Sequence, residues 1–466
     1  MRNGLKLALV AAFLAAPAAA QDDRPDYRRA LAAGYKASFL CSDLFNAGLS
    51  EAVVEQDDLA RTYPELEPLF DQLPAEIDRT NRRVTVRYRD DMPPRVAQWR
   101  PHLGCAQLPI GAPLEAVSRL PRLERRGPEL GNLGARKWPT GDVDATARPT
   151  GNRQALTQTV ARAFDRRSYA QGSETTAVVI VQNGRIVAER YRPDFDLHTS
   201  QRTWSVAKSL AGTVVGAAVQ DGLLQLYAPA PVPEWQRPGD PRAAITTDQL
   251  LRMNSGLNSD HPGNRTDALY FGGATVSDTI ASLPLVARPG GHFRYSNNDI
   301  VAATRGLSHV LGDGERALAF PFERLLWRIG MTRTVPETDW RGHFILSSQV
   351  WTTARDLARL GLLHLNDGMW NGERILPPGW TATVRRHAAA QPERGLGYGA
   401  TWWTFPAASD LPQDAIVAQG NRGQFLVVIP SRQLVIVRRG FDGGAGSQLD
   451  ISAFTRDVLA ALGPAR

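Results

Sequence analysis

Apolar, β-branched text occurs in two places far apart in this chain, and helical text fills the span between them. Thr176-Ala177-Val178-Val179-Ile180-Val181 runs into Gln182-Asn183-Gly184 and out through Arg185-Ile186-Val187-Ala188-Glu189, which reads as a hairpin with an Asn-Gly turn. Strand patterning returns at Gly397 to Phe405, Ile416 to Gln419, Gln424 to Ile429 and Leu434 to Arg439, with Pro430 to Gln433 as the turn between the last two. Between these groups, helical spacing marks Thr246 to Met253, Asp299 to Leu311, Phe320 to Ile329, Thr353 to Leu365 and Pro378 to Arg386. Further helices are expected at Gln154 to Phe164, before the hairpin, and at Leu449 to Leu462. The expected class is α+β: one antiparallel sheet assembled from both ends of this span, flanked by helices, with an all-helical lobe.

The 466 residues, 43% hydrophobic and 22% charged, suffice for a sizeable core. Met1 to Ala20 has Arg2 and Lys6, an apolar run from Leu7 to Ala16, and Ala18-Ala19-Ala20 ahead of Gln21. That is the pattern of a cleavable signal peptide, too short for a membrane span, and it predicts a periplasmic or secreted protein starting near Gln21. No other stretch is apolar and long enough for stable membrane insertion. Export favours a disulfide between Cys41 and Cys105 over two free thiols, and their spacing matches no common zinc motif.

Residues 21–110 read as a small α/β region, helical from Asp26 to about Ala60 and strand-like at Val84 to Tyr88. Residues 111–150, rich in Gly, Pro and Arg, read as a linker or wrapping arm before a main unit at 151–466. The net charge of +7 is scattered arginine with a concentration from Arg119 to Lys137. Without interleaved aromatics it reads as a solvated basic surface, not a nucleic-acid interface.

Ser205 and Lys208 are three apart at the start of a small-residue helix that ends at Asp221-Gly222. That spacing puts amine and hydroxyl on one face, a nucleophile beside its base, at a helix N-terminus whose amides favour a developing oxyanion. Alone, the pattern reads more readily as a helix cap and a solvated lysine. Two other stretches can meet it. Tyr295-Ser296-Asn297 follows a Pro-Gly-Gly turn and offers a phenol for proton transfer. Gly420-Asn421-Arg422-Gly423-Gln424 opens an apolar strand and offers a second amide. His292 is no triad base, because no Gly-x-Ser-x-Gly elbow surrounds Ser205. Trp204, Trp402 and Trp403 read as core more than as pocket walls, Asp248 as a first-turn helix acid and Asp356 as a surface acid.

With these three stretches, the span from Trp138 to Leu462 resembles the serine β-lactamase and penicillin-binding-protein superfamily. Within it the resemblance is to class C β-lactamase-like proteins, family VIII-type esterases and 6-aminohexanoate-dimer hydrolases. Leu250-Leu251-Arg252-Met253-Asn254-Ser255-Gly256-Leu257, Thr352-Thr353-Ala354-Arg355-Asp356-Leu357 and Trp370-Asn371-Gly372-Glu373-Arg374-Ile375-Leu376 add to it. The resemblance implies a β-lactamase/transpeptidase-like fold and an acyl-enzyme on Ser205, with proton traffic through Lys208 and Tyr295. It also implies an oxyanion hole from the Ser205 and Gln424 amides, and substrate contacts from Asn297, Asn421, Arg422 and Gly423. No cofactor or metal is implied.

The family's third motif commonly begins with Lys or His, and Asn421 stands at the aligned position here. Arg422 replaces that cation only if its side chain turns inward, which strand alternation leaves open. The leading expectation is an exported hydrolase of esters or small linear amides. A β-lactamase or D-alanyl-D-alanine peptidase, and a non-catalytic cell-envelope binding protein, stay as alternatives. The sequence says nothing of the oligomeric state.

Overall fold

Thr175–Gln182 is buried along its whole length because it is an interior strand. In the computed structural model, which describes residues 24–124, 134–259, 266–443 and 448–464, it pairs antiparallel with Arg185–Tyr191 and with Leu434–Gly440. That second pairing joins the two ends of the main unit. The sheet has seven strands, in the order Gly397–Tyr398, Trp403–Thr404, Ile416–Gly420, Gln424–Ile429, Leu434–Gly440, Thr175–Gln182, Arg185–Tyr191. Its central strands read as continuous apolar runs because both faces are covered. Val178, Ile180, Val427 and Ile436 pack with Leu156, Val160, Phe454 and Val458 of the helices Arg153–Ala163 and Ile451–Leu462. On the opposite face Val179, Val181, Leu426 and Val435 join a larger core with Leu357 and Leu360 of the helix Ala354–Leu365.

That larger core surrounds the helix Val206–Gln220, buried from Val206 through Ala218. A helix apolar all round belongs in an interior, and its small residues let neighbours come close. A Cβ on Gly216 would lie 2.6 Å from the Trp380 ring.

The N-terminal region is the helix Arg24–Ser42 on a four-stranded antiparallel meander, Ala75–Asp78, Arg83–Val86, Arg95–Arg100 and Gly104–Gln107. Cys41 and Cys105 form a disulfide between that helix and the last strand. This region shares its core with the main unit. Tyr35 and Phe39 stack on each other and pack against Phe271, Trp204 and Trp351. Beyond it, residues 134–150 run along the edge strand Arg185–Tyr191, where the Ala147 amide donates to the Ile186 carbonyl. Arg359 fastens the same segment through the Pro139 and Gly141 carbonyls and the Asp142 carboxylate.

Several elements differ from expectation for local reasons. Gly397 to Phe405 is two short strands, since Thr401 at φ 63 turns the chain between them. The helix expected from Phe320 begins at Glu315 and continues past Pro321 as a wider π-helical turn, Phe322–Leu326, which accommodates the proline's missing N–H. A three-stranded sheet of Gln201–Arg202, Val350–Thr352 and Val335–Pro336 escapes any periodicity argument because its strands are two or three residues long. The expected signal peptide, and part of the loop from Asn258 to Gly273, lie outside the described residues.

Candidate active site

Ser205 stands at the N-cap of the helix Val206–Gln220, yet its hydroxyl makes no capping bond to that helix. It faces the lysine one turn on: Lys208 Nζ lies 2.9 Å from Ser205 Oγ. The lysine is 1% exposed, and its amine also contacts the Asn297 side-chain oxygen at 2.7 Å and the Ser347 carbonyl at 2.8 Å. A solvated lysine is thereby ruled out as the description of this residue. Asn297 and the Ser347 carbonyl only accept from the amine, so they fix two of its N–H directions and aim the third position at the serine. Ser347 is itself held by Tyr270, with 2.6 Å between the two hydroxyl oxygens.

Tyr295 arrives from the loop before the helix Asn297–Val310, whose N-cap Ser296 accepts from the Asp299 amide. Its hydroxyl is hydrogen-bonded to Ser205. Burial pushes the phenol above its ordinary value, so at neutral pH it is a proton donor and not a phenolate. The ring lies 5.0 Å from Lys208 Nζ and packs on Trp403 at 5.3 Å and Tyr398 at 5.9 Å. Serine, lysine, tyrosine and asparagine, which come from two separate stretches of the chain, therefore meet in one hydrogen-bonded group.

The third stretch reaches the same place. Gly420 ends its strand against the nucleophile's backbone: a Cβ there would lie 2.2 Å from the Thr203 carbonyl oxygen and 3.2 Å from the Ser205 nitrogen. Only glycine permits that approach. Gln424 sits across the hairpin from Gly420, and its buried side chain is engaged elsewhere. It donates to the Gly440 carbonyl at 2.5 Å and accepts from Arg439 at 2.7 Å. Arg439 spends its remaining donors on the Thr352, Gln201 and Arg202 carbonyls. The Gln424 side chain is thus a structural bracket, and a Cβ on Gly420 would lie 3.0 Å from Gln424 Cβ as well, so Gln424 and Ser205 both border Gly420.

The other substrate-contact expectations separate in the same way. Asn421 is exposed, and its side chain accepts from the Arg422 amide at 3.0 Å. Arg422 does not turn inward. Its guanidinium, 2% exposed as a residue, pairs with Asp58 at 3.3 Å and donates to the Asp57 carbonyl at 2.7 Å and the Ala60 carbonyl at 3.0 Å. Gly423 faces away as well, since a Cβ there would lie 1.9 Å from Arg438. Of Trp204, Trp402 and Trp403, it is Trp403 that packs on Tyr295. Trp402 packs on buried His364 at 4.7 Å, and Trp204 is covered by N-terminal aromatics. His292 is exposed. Asp248 pairs with Arg252 at 2.7 Å in a first helical turn. Asp356, expected on the surface, is buried and holds Arg359, Thr334 and the Arg333 amide. Arg359, Thr334 and Arg333 supply the donors that its burial requires. Among the described residues no cluster of His, Cys, Asp and Glu could hold a metal ion.

Sequence reasoning missed Ser347, whose backbone oxygen is a lysine partner. No side-chain pattern marks a carbonyl.

Comparison with known proteins places the fold in a family. The sequence model of the beta-lactamase family matches residues 160–438. A 6-aminohexanoate-dimer hydrolase from Paenarthrobacter ureafaciens is 28% identical over 294 residues, 57% of this chain and 72% of that protein. Among solved structures, a putative 6-aminohexanoate-dimer hydrolase from Bacillus anthracis superposes with a TM-score of 0.52 at 22% identity, over 61% of this chain and 78% of that one. A family VIII carboxylesterase superposes with a TM-score of 0.53 at 17% identity, over 68% and 98%. The fold is the β-lactamase/transpeptidase-like one, and the chain belongs to the beta-lactamase family, a superfamily of serine hydrolases.

Proposed function

We propose that the protein is an exported serine hydrolase that cleaves ester or small linear amide bonds through an acyl-enzyme on Ser205. The observation that carries this reading is the buried Lys208 amine, bonded to Ser205 Oγ while Asn297 and the Ser347 carbonyl hold its other donors. In the neutral amine those two acceptors take both N–H groups, and the lone pair is left facing the serine proton. Ser205 Oγ then attacks the substrate carbonyl carbon as its proton passes to Lys208. The oxyanion forms between the amides of Ser205 and Gln424, the two residues that border Gly420. Tyr295, a neutral phenol bonded to Ser205, protonates the leaving alkoxide or amine and recovers its proton through Lys208. Water attacks the acyl-enzyme by the reverse traffic and releases the acid.

Two observations favour esters and linear amides over β-lactams. Arg422, the one cation in the Gly420–Gln424 turn, is committed to Asp58 and to two backbone carbonyls, so that turn offers no charge for a substrate carboxylate. The aromatic wall of Trp403, Tyr398 and Tyr295 beside the serine suits an apolar acyl or leaving group. Export rests on the N-terminal patterning, on the Cys41–Cys105 disulfide, and on the absence, among the described residues, of any helix long and apolar enough to cross a membrane. The test compares p-nitrophenyl ester and nitrocefin turnover, alongside fluorophosphonate labelling of the intact protein and Ser205→Ala. Ester cleavage exceeding nitrocefin loss, with labelling abolished in the variant, is expected. Rapid nitrocefin loss with negligible ester cleavage would reverse the substrate order. Labelling that Ser205→Ala leaves unchanged would remove the enzyme reading.

A further inference from the structure

Both walls of the site are backed by residues that precede the family match at residue 160. On the nucleophile's side, the residue before Ser205 is Trp204, in the left-handed region at φ 50. Phe39 and Tyr63 lie 5.9 and 6.4 Å from its ring, and Arg202 is stacked at 4.1 Å from Trp204 and 4.8 Å from Phe39. On the facing side, the residue after Asn421 is Arg422, also left-handed at φ 58. For residues that carry a Cβ, such conformations cost about 1–2 kcal/mol and persist only where the surroundings over-determine them.

For Arg422 the surroundings form a built receptor. Asp57, Asp58 and Ala60 present two backbone carbonyls and one carboxylate to a single guanidinium, and Asp58 is as buried as its partner. The receptor is anchored in turn. The Asp57 carboxylate is bound by Arg192, from the end of the edge strand, and lies 3.7 Å from Arg61. Tyr35 donates to the Asp58 carbonyl from the middle of the first helix. A guanidinium placed only for solubility would not be buried this way, because an unpaired buried charge costs several kcal/mol.

We propose that Arg422 is a positioning residue. Through Asp58 and the Asp57 and Ala60 carbonyls, the N-terminal region sets the Gly420–Gly423 turn and with it the oxyanion amide of Gln424 at the turn's end. Turnover on Ser205 then depends on a region outside the hydrolase fold itself. The proposal rests on the Ser205 reading above and concerns its rate, not its substrate.

The full-length protein tests it with Arg422→Ala, Arg422→Lys and Asp58→Asn. Three quantities are compared with wild type: p-nitrophenyl ester kinetics, the rate of fluorophosphonate labelling, and amide hydrogen exchange across residues 418–424. Misplacing one oxyanion donor predicts that Arg422→Ala lowers kcat about 10- to 100-fold with KM within about three-fold. Exchange across the turn should rise, and millimolar guanidinium ion or the lysine variant should restore part of the rate. A folded Arg422→Ala protein with wild-type kcat and wild-type exchange would overturn the proposal. So would a loss that appears only in thermal stability. If that variant fails to fold, Asp58→Asn, which keeps shape and removes charge, carries the decision: a reduced kcat supports the coupling, and an unchanged kcat with unchanged exchange overturns it. Wild-type protein that neither labels nor cleaves esters would instead defeat the reading of Ser205, and the exchange comparison would still decide whether the turn depends on Arg422.

Discussion

The two walls of the site are built in opposite ways. The Ser205 wall is nearly self-sufficient: serine and lysine are one turn apart on one helix, and the amine's other partners are an amide side chain and a backbone oxygen close by. The Gly420–Gln424 wall holds little chemistry in its own side chains. Its shape is imposed by three buried arginines: Arg422 bound to Asp58, Arg438 to nearby Asp442 and to Thr175, and Arg439 to Gln424 and the carbonyls of the short three-stranded sheet. One wall carries reactivity, the other geometry. A change in the first should therefore be felt in rate, and a change in the second in stability and in the placement of a backbone amide.

The sharpest break of that contrast is Lys208→Ala. Without the base, kcat/KM for an ester should fall about 1,000-fold or more while the melting temperature stays near wild type, as steady-state kinetics and a thermal scan would show. A comparable loss of stability would place the lysine among structural residues. Next in size, Arg439→Leu leaves the acceptors of Gln424, Thr352, Gln201 and Arg202 unmatched in the interior. It should cost about 3 kcal/mol in urea unfolding, where a surface arginine would cost almost nothing.

The helix side has its own stability signature in His364, which contacts Thr213 at 2.9 Å beneath the Ser205 helix. Burial lowers its pKa to about 3. The unfolded chain takes up a proton near pH 6.5 and the folded one does not, so this residue's contribution is intact above pH 6.5 and is lost as pH falls toward 3. Between pH 7 and pH 5 the loss should be about 2 kcal/mol, and His364→Leu should remove that part of the slope in unfolding titrations. The smallest expected effect is the most discriminating for the facing wall. Since the exposed Asn421 side chain is taken up by the Arg422 amide, Asn421→Ala should keep ester turnover within about three-fold, and a larger loss would assign a substrate contact to that side chain.

How far residues alone could carry the argument differs between the walls. Ser205, Lys208, Tyr295 and Asn297 were legible because their chemistry lies in side chains at short, fixed spacing. The sheet joining 175–182 to 434–440 was legible because apolar runs of that length need partners. The approach of Gly420 to the Thr203 carbonyl and the Ser205 nitrogen was not legible, because no side-chain pattern marks a contact between backbones. Arg422 could be read either way, since alternation along a strand does not say whether a buried acid waits on the other side. Asp356 looked superficial because its three donors come from beyond its own turn or from elsewhere in the chain.

By itself, then, the sequence determined the family and the candidate serine, lysine and tyrosine, because each depends on local spacing that any folded state must respect. The tertiary structure decided where the arginines point and that the N-terminal region shares the core behind the site. Those outcomes depend on long-range burial of charge and backbone. A buried guanidinium must find its acceptors wherever the fold happens to bring them, and nothing in the residues beside it announces where that is.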